Sequence, residues 1–420
     1  MKSIIVVGAG LAGLSAAYEL KHRGYQVTVI DARNRMGGRI WSDRGWGFPA
    51  DFGASIVREG PGGLLTPLLK RSGVKTLPLE AQSVSYRLKG GKKLGFFEVG
   101  DGNKLVDRLL KSAADLSQKD KTVAQVLEGL GAGKKAENPL LQHFLSRIEI
   151  HFGADAEELP AQCLALWEKT QGEKSWFLPH GFHKVFEYLS EGIELRLETK
   201  VETIQYSNNE VTVVTDEGTL TAEACLVTVP LGVLKGGKIS FEPALPREKL
   251  EAIHRMGFGP VSRVLLHFPE VFWDEDTAYI VNVQEDRPLF PLFQNLLKLS
   301  GLPILAAMTG GSRAYLHERT NDIQLLQTLS QDLKRLYPTR YRDPVNVKGL
   351  RWNQDPLTLG GVSFLKPGGN PQDSKTLAAP LGRLFFAGEA TDDEGPGTLV
   401  GAYRSGLVAA EKMVLELSTS

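Results

Sequence analysis

The chain has 420 residues, more than one hydrophobic core usually supports, so two domains are expected. Hydrophobic residues make up 42% and charged residues 23%, as in an ordinary globular protein, and 49 basic residues balance 49 acidic ones. That balance supplies no net pull toward nucleic acid or an anionic membrane, and neither is expected as a partner. Two cysteines, Cys163 and Cys225, stand far apart with no metal-ligand spacing and no disulfide framework, so no metal site is expected. They suit a reducing compartment, which makes the cytoplasm the expected location. No apolar run approaches the ~20 residues that cross a bilayer, and no membrane anchor is expected.

Taken in chain order, Ser3 to Val7 reads as a short buried strand rich in β-branched residues. Lys2 and the apolar run behind it are superficially like a signal peptide, but the glycines inside that run have a better explanation. Gly8-Ala9-Gly10-Leu11-Ala12-Gly13 follows at once, a helix is predicted from Leu11 to His22, and Gln26 to Ile30 alternates as a second strand ending at Asp31. This is the strand, glycine turn, helix, strand order of a dinucleotide fold. Gly8 permits the tight turn, Gly10 lets a pyrophosphate approach the backbone, and Gly13 lets helix and strand lie close. The helix N-terminus offers unpaired N–H groups to phosphate, and Asp31 stands where a carboxylate accepts hydrogen bonds from ribose hydroxyls.

That fingerprint alone does not separate NAD from FAD. The next piece, Asp31-Ala32-Arg33-Asn34-Arg35-Met36-Gly37-Gly38-Arg39, adds a glycine pair for close backbone passage and an arginine that can meet phosphate charge, which favours FAD. By contrast, Gly131-Ala132-Gly133-Lys134-Lys135 has no buried strand before it and reads as a surface turn. Further on, Leu325, Leu326, Leu329, Leu333 and Leu336 mark one packed helical face that Pro338 ends. Leu384 to Phe386 reads as a strand leading into Ala387-Gly388-Glu389, and a C-terminal helix is expected from Thr398 to about Leu417.

These residues resemble the flavin-dependent amine oxidases, a family that includes monoamine oxidases, polyamine oxidases and lysine-specific histone demethylases. The pattern is most similar to the polyamine oxidases and continues along nearly the whole chain. Asp51-Phe52-Gly53-Ala54-Ser55 is similar to the segment that crosses near the isoalloxazine, and Leu178-Pro179-His180-Gly181-Phe182 to the re-entry into the flavin domain. Thr228 to Lys235, Met256-Gly257-Phe258-Gly259 and Phe272-Trp273 are similar to further family motifs. The resemblance implies that Gly53, Ala54, Ser55, Gly388 and Glu389 contact the cofactor, that Val201 pairs its backbone with adenine from a strand Glu198 to Tyr206, and that Thr398 and Leu399 open a helix beneath the flavin ring. There a helix N-terminus would stabilise reduced flavin. Trp352 resembles the aromatic beside the ring.

The expected architecture is α/β with α+β: a discontinuous Rossmann-like FAD domain of residues 1–78, 180–262 and 350–420, and a mixed α+β substrate domain of residues 79–179 and 263–349. The family chemistry moves a hydride from the carbon next to an amine nitrogen to FAD; the imine is hydrolysed, and oxygen reoxidises the flavin to give hydrogen peroxide. A small-molecule amine is therefore the expected partner, with oxygen as acceptor.

The chain departs from the family pattern in three places. Arg263 stands where a lysine usually holds a water against the flavin, and an arginine stays protonated and cannot act as a general base. Val362 stands where covalent members carry a cysteine, so FAD is expected to be non-covalent. After Ser55 the family often reads Trp, an apolar residue and then His or Glu, whereas here the order is Ile56-Val57-Arg58-Glu59. At a substrate entrance Arg58 would repel a polycation and Glu59 would attract one; the plainer reading is a solvated charge pair. A desaturase or dehydrogenase with another electron acceptor, and a flavin-binding protein without turnover, remain open alternatives. A histone-demethylase role is not expected.

Overall fold

The computed structural model describes residues 2–59, 62–79, 83–95, 98, 106–112, 121–131, 138–171, 174–284 and 287–418. Its centre is a five-stranded parallel sheet, in the order Leu384–Phe386, Ala224–Val227, Ser3–Val7, Gln26–Ile30, Glu194–Arg196. Val7 pairs with both Ile30 and Val227, and Val227 with Phe386, so four strands end at one level. Strand alternation divides the first strand between two layers. Ile4 and Val6 pack under the helices, whereas Ile5 and Val7 pack on a four-stranded sheet built from Val201–Tyr206, Val211–Thr215, Gly218–Ala222 and Ser240–Glu242. On the helical side, Leu11–His22 lies against the C-terminal helix Leu399–Ser418. They approach so closely that a β-carbon on Gly406 would collide with Ala12 and Ser15.

A second unit covers the level ends of that sheet. Its six-stranded sheet runs Asn346–Gly349, Val261–His267, Ile304–Gly310, Leu292–Asn295, Tyr279–Asn282, Val84–Arg87, antiparallel except for the last pair. The strand Val261–His267 runs across the expected 262/263 limit, so Val261 and Ser262 lie in this sheet. Helix Pro139–Phe152 packs on it, started by Asn138, whose side chain accepts from Leu140 and Leu141 N–H, and stopped by Gly153 in the left-handed region. A three-stranded sheet of Ile56–Glu59, Lys174–Phe177 and Leu77–Pro78 completes the cover.

Several expectations need correction. The strand that carries Val201 begins at Val201 rather than Glu198, because Glu198 adopts a positive φ of 54° that breaks an extended run. Thr398 caps the C-terminal helix instead of belonging to it: its hydroxyl accepts from Gly401 N–H at 3.0 Å. In helix Asp322–Leu336, Leu325, Leu329, Leu333 and Leu336 are buried, but Leu326 is exposed because it points off the packed stripe. Of the expected turn at Gly131–Lys135, Ala132 to Lys135 lie outside the described residues, while Gly131 takes a left-handed φ of 72°. Cys163 and Cys225 are buried and free. Among the described residues no helix is long and apolar enough to cross a membrane, and no cluster could hold a metal ion.

Candidate functional site

A cavity of about 1740 Å³ opens along the level ends of the parallel sheet and runs under the second unit. Such a crevice, at the carboxyl ends of parallel strands on either side of the central one, is where α/β folds place ligands. At one end the walls are backbone: Gly8, Gly10, Ala12, Gly38 and Gly388 border the cavity. Gly8 has φ 114° and no room, since a β-carbon would stand 2.5 Å from Thr228 Oγ1. Gly10 and Gly388 are the opposite case, with no protein atom within 4 Å of an added β-carbon. Space next to these glycines is therefore left for something other than the chain. The helix that begins at Leu11 has no side-chain cap and no acid in its first turn, although Leu11 and Ala12 are buried. A buried, uncapped helix start calls for an anion.

Two expected residues do not reach the cavity wall. Ala9 is turned inward, its N–H donating to Asp31 Oδ2 at 2.8 Å, and Gly13 sits beneath Gly8, whose carbonyl a β-carbon would strike. Asp31 borders the cavity, and its Oδ1 also accepts from Arg33 N–H at 2.8 Å, so the carboxylate pins the loop with acceptor capacity to spare. Burial pushes its carboxyl up, against these N–H donors. Ala32 and Arg33 also border the cavity, Arg33 paired with Asp355 at 2.8 Å.

Arg39 borders the cavity, with one end of its guanidinium tied to the protein. Its Nη1 donates to Glu389 Oε1 at 2.8 Å and to Gly361 O at 2.7 Å. The other oxygen of Glu389 accepts from Gly397 N–H at 2.7 Å and from the Ser363 hydroxyl, so Glu389 ties three loops together. Val201, Thr398 and Leu399 border the cavity, as do Gly53, Ala54 and Ser55.

The other end is lined by side chains of the covering unit. Arg263 comes from the strand Val261–His267 and is only 7% exposed, yet its Nε and Nη2 have no partner. Burial lowers its hold on its proton, opposed by nearby Asp51 and Tyr279. Asp51 is buried as well; it accepts from the Ser42 hydroxyl, its Oδ2 is unpartnered, and burial pushes its carboxyl up to about 6. Trp352 and Trp167 are buried and Trp176 is half-buried, and all three border the cavity. Arg58 borders the cavity on the open face of its strand. Glu59 is a different case from its neighbour: only 4% exposed, it accepts from Leu65 N–H at 2.8 Å and from Thr66 Oγ1 and starts the next helix. The expectation that it attracts substrate is corrected on that ground.

Sequence reasoning missed the wall that helix Pro139–Phe152 provides. His143, Arg147 and His151 all border the cavity. Their spacing of four residues puts them on one helical face, a polar stripe in a mostly apolar segment that was visible in the sequence. Burial drives His143 and His151 down to about 3, helped by Arg147 for the first and by Arg58 and Arg147 for the second, so both are neutral at pH 7.

The model of the family described as flavin containing amine oxidoreductase matches residues 11–414. The chain belongs to this family. Polyamine oxidase 2 of Arabidopsis thaliana is 34% identical over 97% of the chain and 87% of its own length. Lysine-specific histone demethylase 1 homolog 2 of the same plant is also 34% identical, over 98% of the chain but only 58% of its own length. Among solved structures, a putrescine oxidase bound to putrescine superposes with a TM-score of 0.83 at 21% identity, covering 99% of both chains. Cyclohexylamine oxidase from Brevibacterium oxydans gives 0.82 at 22%, again over 99% of both. At those identities the structural likeness establishes the shared α/β flavoprotein fold.

The chain is accordingly an FAD-dependent amine oxidoreductase. The cavity fits that cofactor on its own terms. It offers an uncapped helix start for the pyrophosphate, vacant space beside Gly10 and Gly388, and an acid in Asp31 at the end of the second strand. Bound there, FAD supplies the two-electron acceptor.

Proposed function

We propose that this FAD-dependent amine oxidoreductase acts on a small-molecule amine as an oxidase, with oxygen as the acceptor and hydrogen peroxide as a product. The observation that carries the reading is the side-chain end of the cavity. It joins directly to the cofactor end, is walled by Trp352, Trp167 and Trp176, and holds a buried guanidinium, Arg263, with two unpartnered nitrogens. Apolar walls exclude water, and an aromatic face orients the amine. In this reading Arg263 is the group that holds a water or steadies negative charge next to the cofactor. The relatives named polyamine oxidases, and the fold shared with a putrescine oxidase, support an amine of that general kind.

In the same reading Gly8, Gly10, Ala12, Gly38 and the Leu11 helix start hold the pyrophosphate, Asp31 the ribose, Val201 the adenine, and Gly53 to Ser55 with Thr398 and Leu399 the ring. Arg39 and Glu389 act one step back, by fixing the loops at Gly361 and Gly397. The cofactor is held without a covalent bond: neither cysteine borders the cavity, and Val362 does. Release of intact FAD on acid denaturation supports this, and flavin that stays with the denatured chain refutes it. The cytoplasm remains the proposed location, supported by two free thiols.

A second reading, a dehydrogenase or desaturase that hands its electrons to something other than oxygen, is favoured by one observation: an arginine at position 263 cannot exchange a proton as a lysine can. Peroxide assay with oxygen as sole acceptor separates the two. Stoichiometric peroxide supports the oxidase; turnover that needs an artificial acceptor supports the dehydrogenase.

A further inference from the structure

One buried carboxyl, Asp51, keeps an oxygen with no partner and takes no part in holding the cofactor. It ends the short strand Ala50–Asp51, whose neighbours Ala50 and Phe52 pack on Leu265 and Ala306 of the covering sheet. Phe52 and Gly53 border the cavity, whereas Asp51 lies behind them, 5% exposed. Arg263 stands two residues before Leu265, on the same face of the sheet, and reaches the cavity. Asp51 is thus set behind the wall that Arg263 helps to form, and each charge acts on the other.

The unmatched atoms gathered here complement one another. Asp51 Oδ2 can accept, Arg263 Nε and Nη2 can donate, and none of the three has a partner. Gln294 is 1% exposed with neither amide atom partnered. The row Leu265, Ala306, Gln294, Tyr279 crosses four strands, which puts Gln294 on the face that carries Arg263 and Tyr279 to the cavity. Water can bridge such donors and acceptors without removing the coupling of the two charges.

The other surroundings of Asp51 add no charge to it. Its Oδ1 accepts from Ser42 on the paired strand, and Gly181 closes that side, where a β-carbon would stand 3.5 Å from Oδ1. Lys348, on the edge strand, is taken by Asp43 and lies over the ring of Phe52. His183, two residues past Gly181, is acted on by Arg44, Glu187 and Lys184. Among the described residues, Arg263 is therefore the charge that acts on Asp51.

An arginine keeps its proton, so the member of this couple that can change charge is the acid. Burial pushes its carboxyl up to about 6, with Ser42 and Arg263 acting the other way. Below that value the couple carries one positive charge, and above it none. Positive charge next to a flavin favours the reduced, more negative form.

We propose that Asp51 is a positioning residue that acts through Arg263: ionised, it cancels the charge of the guanidinium, and protonated, it leaves that charge to face the cofactor, so that the ease of flavin reduction follows the charge state of this acid. The inference rests on the reading that Arg263 stands next to FAD, and deepens it. The two electrons and the proton of the hydride pass from the substrate carbon to FAD. Asp51 exchanges its own proton with solvent and contributes neither atom nor electron to that transfer.

Two readouts on the FAD-loaded enzyme test this, neither of them turnover. The first is the midpoint potential of the flavin at pH 5 and pH 8. Asp51→Asn should shift the two-electron equilibrium toward reduced flavin about tenfold at pH 8, which is about 30 mV, and by less than about twofold at pH 5. Asp51→Glu, which keeps an acid, should restore the dependence on pH, and Arg263→Gln should shift the equilibrium toward oxidised flavin. The second readout is chemical denaturation at saturating FAD across pH. The stability gained by Asp51→Asn should grow from about pH 4 and level off at about 6. In the Arg263→Gln background it should level off about one unit or more higher, because the charge that opposes burial is gone. A potential that Asp51→Asn leaves unchanged, or shifts equally at both pH values, overturns the proposal, as does a levelling point that Arg263→Gln leaves in place. If Arg263→Gln itself leaves the potential unchanged, the place of Arg263 beside the cofactor is what fails, and the denaturation series still decides whether Asp51 and Arg263 are coupled.

Discussion

The two ends of the cavity are built on opposite principles. At the cofactor end the charged side chains satisfy one another: Asp31 with two N–H groups, Arg39 with Glu389, and Arg404 with Asp392 through two bonds of 2.6 and 2.7 Å. What is left open there is backbone, the helix start at Leu11 and the bare surfaces of Gly10 and Gly388. At the side-chain end the reverse holds, with Arg263 and His143 buried and each keeping an unpartnered polar atom. A shared cofactor can be met by a rigid frame of paired side chains. In the proposed reading, substrate choice rests on groups whose pairing is completed when the ligand arrives.

The largest expected effect comes from breaking the paired end. Glu389→Ala removes the partner of Arg39 and leaves Gly397 N–H and Ser363 without their acceptor. Removing one member of a buried pair costs about 3–5 kcal/mol, to be read by chemical denaturation alongside loss of bound FAD. A change under 1 kcal/mol, on the order of an exposed pair, would show that Glu389 is not the tie described.

Asp51, whose charge acts on Arg263, gives a test through pH. Its carboxyl lies at about 6, above the ordinary 3.8, because burial outweighs the Ser42 hydrogen bond and the Arg263 charge. The folded state thus holds this proton more tightly than the unfolded chain. Stability from the group is complete below the unfolded value and is lost as pH rises through about 6. Asp51→Asn should therefore gain on the order of 3 kcal/mol over the wild type at pH 7 and almost nothing at pH 4. An equal difference at both pH values would contradict the buried, unpaired carboxylate.

Arg263→Lys should raise the rate at which oxygen reoxidises reduced enzyme, by on the order of tenfold to hundredfold. Unchanged stopped-flow reoxidation would remove position 263 from the oxygen step. The smallest effect sharpens the cofactor end. Gly10→Ala meets no protein atom, so it should leave the melting temperature of the apoprotein unchanged while weakening FAD about tenfold. Gly13→Ala, which strikes the Gly8 carbonyl, should instead destabilise the apoprotein itself. Identical behaviour of the two variants would refute the distinction.

Much of the cofactor end was legible in the sequence because its signals are local. A turn that needs Gly8, a helix that needs Gly13 close beneath, and an acid at the end of the second strand all lie within thirty-one residues. What the sequence misjudged was how those groups are engaged. Nothing in the run around Ala9 or Arg39 indicates that Asp31 takes the Ala9 N–H, or that Arg39 turns to a glutamate 350 positions away. Glu59 was misread for a related reason: its partners, Leu65 and Thr66, become partners only after the chain turns back on it. At the substrate end, the four-residue stripe of His143, Arg147 and His151 was present but ambiguous. Helical spacing shows that residues share a face and leaves open whether the face meets solvent, core or a cavity.

The claim that joins both ends is that FAD held at the glycine-lined wall accepts electrons from an amine held at the side-chain end of the same cavity. Anaerobic mixing of the FAD-loaded enzyme with a panel of monoamines, polyamines and amino acids, followed by flavin absorbance, tests it most directly. The account predicts full bleaching of the oxidised flavin band by at least one amine. An oxidised spectrum that persists with every member of the panel would contradict it.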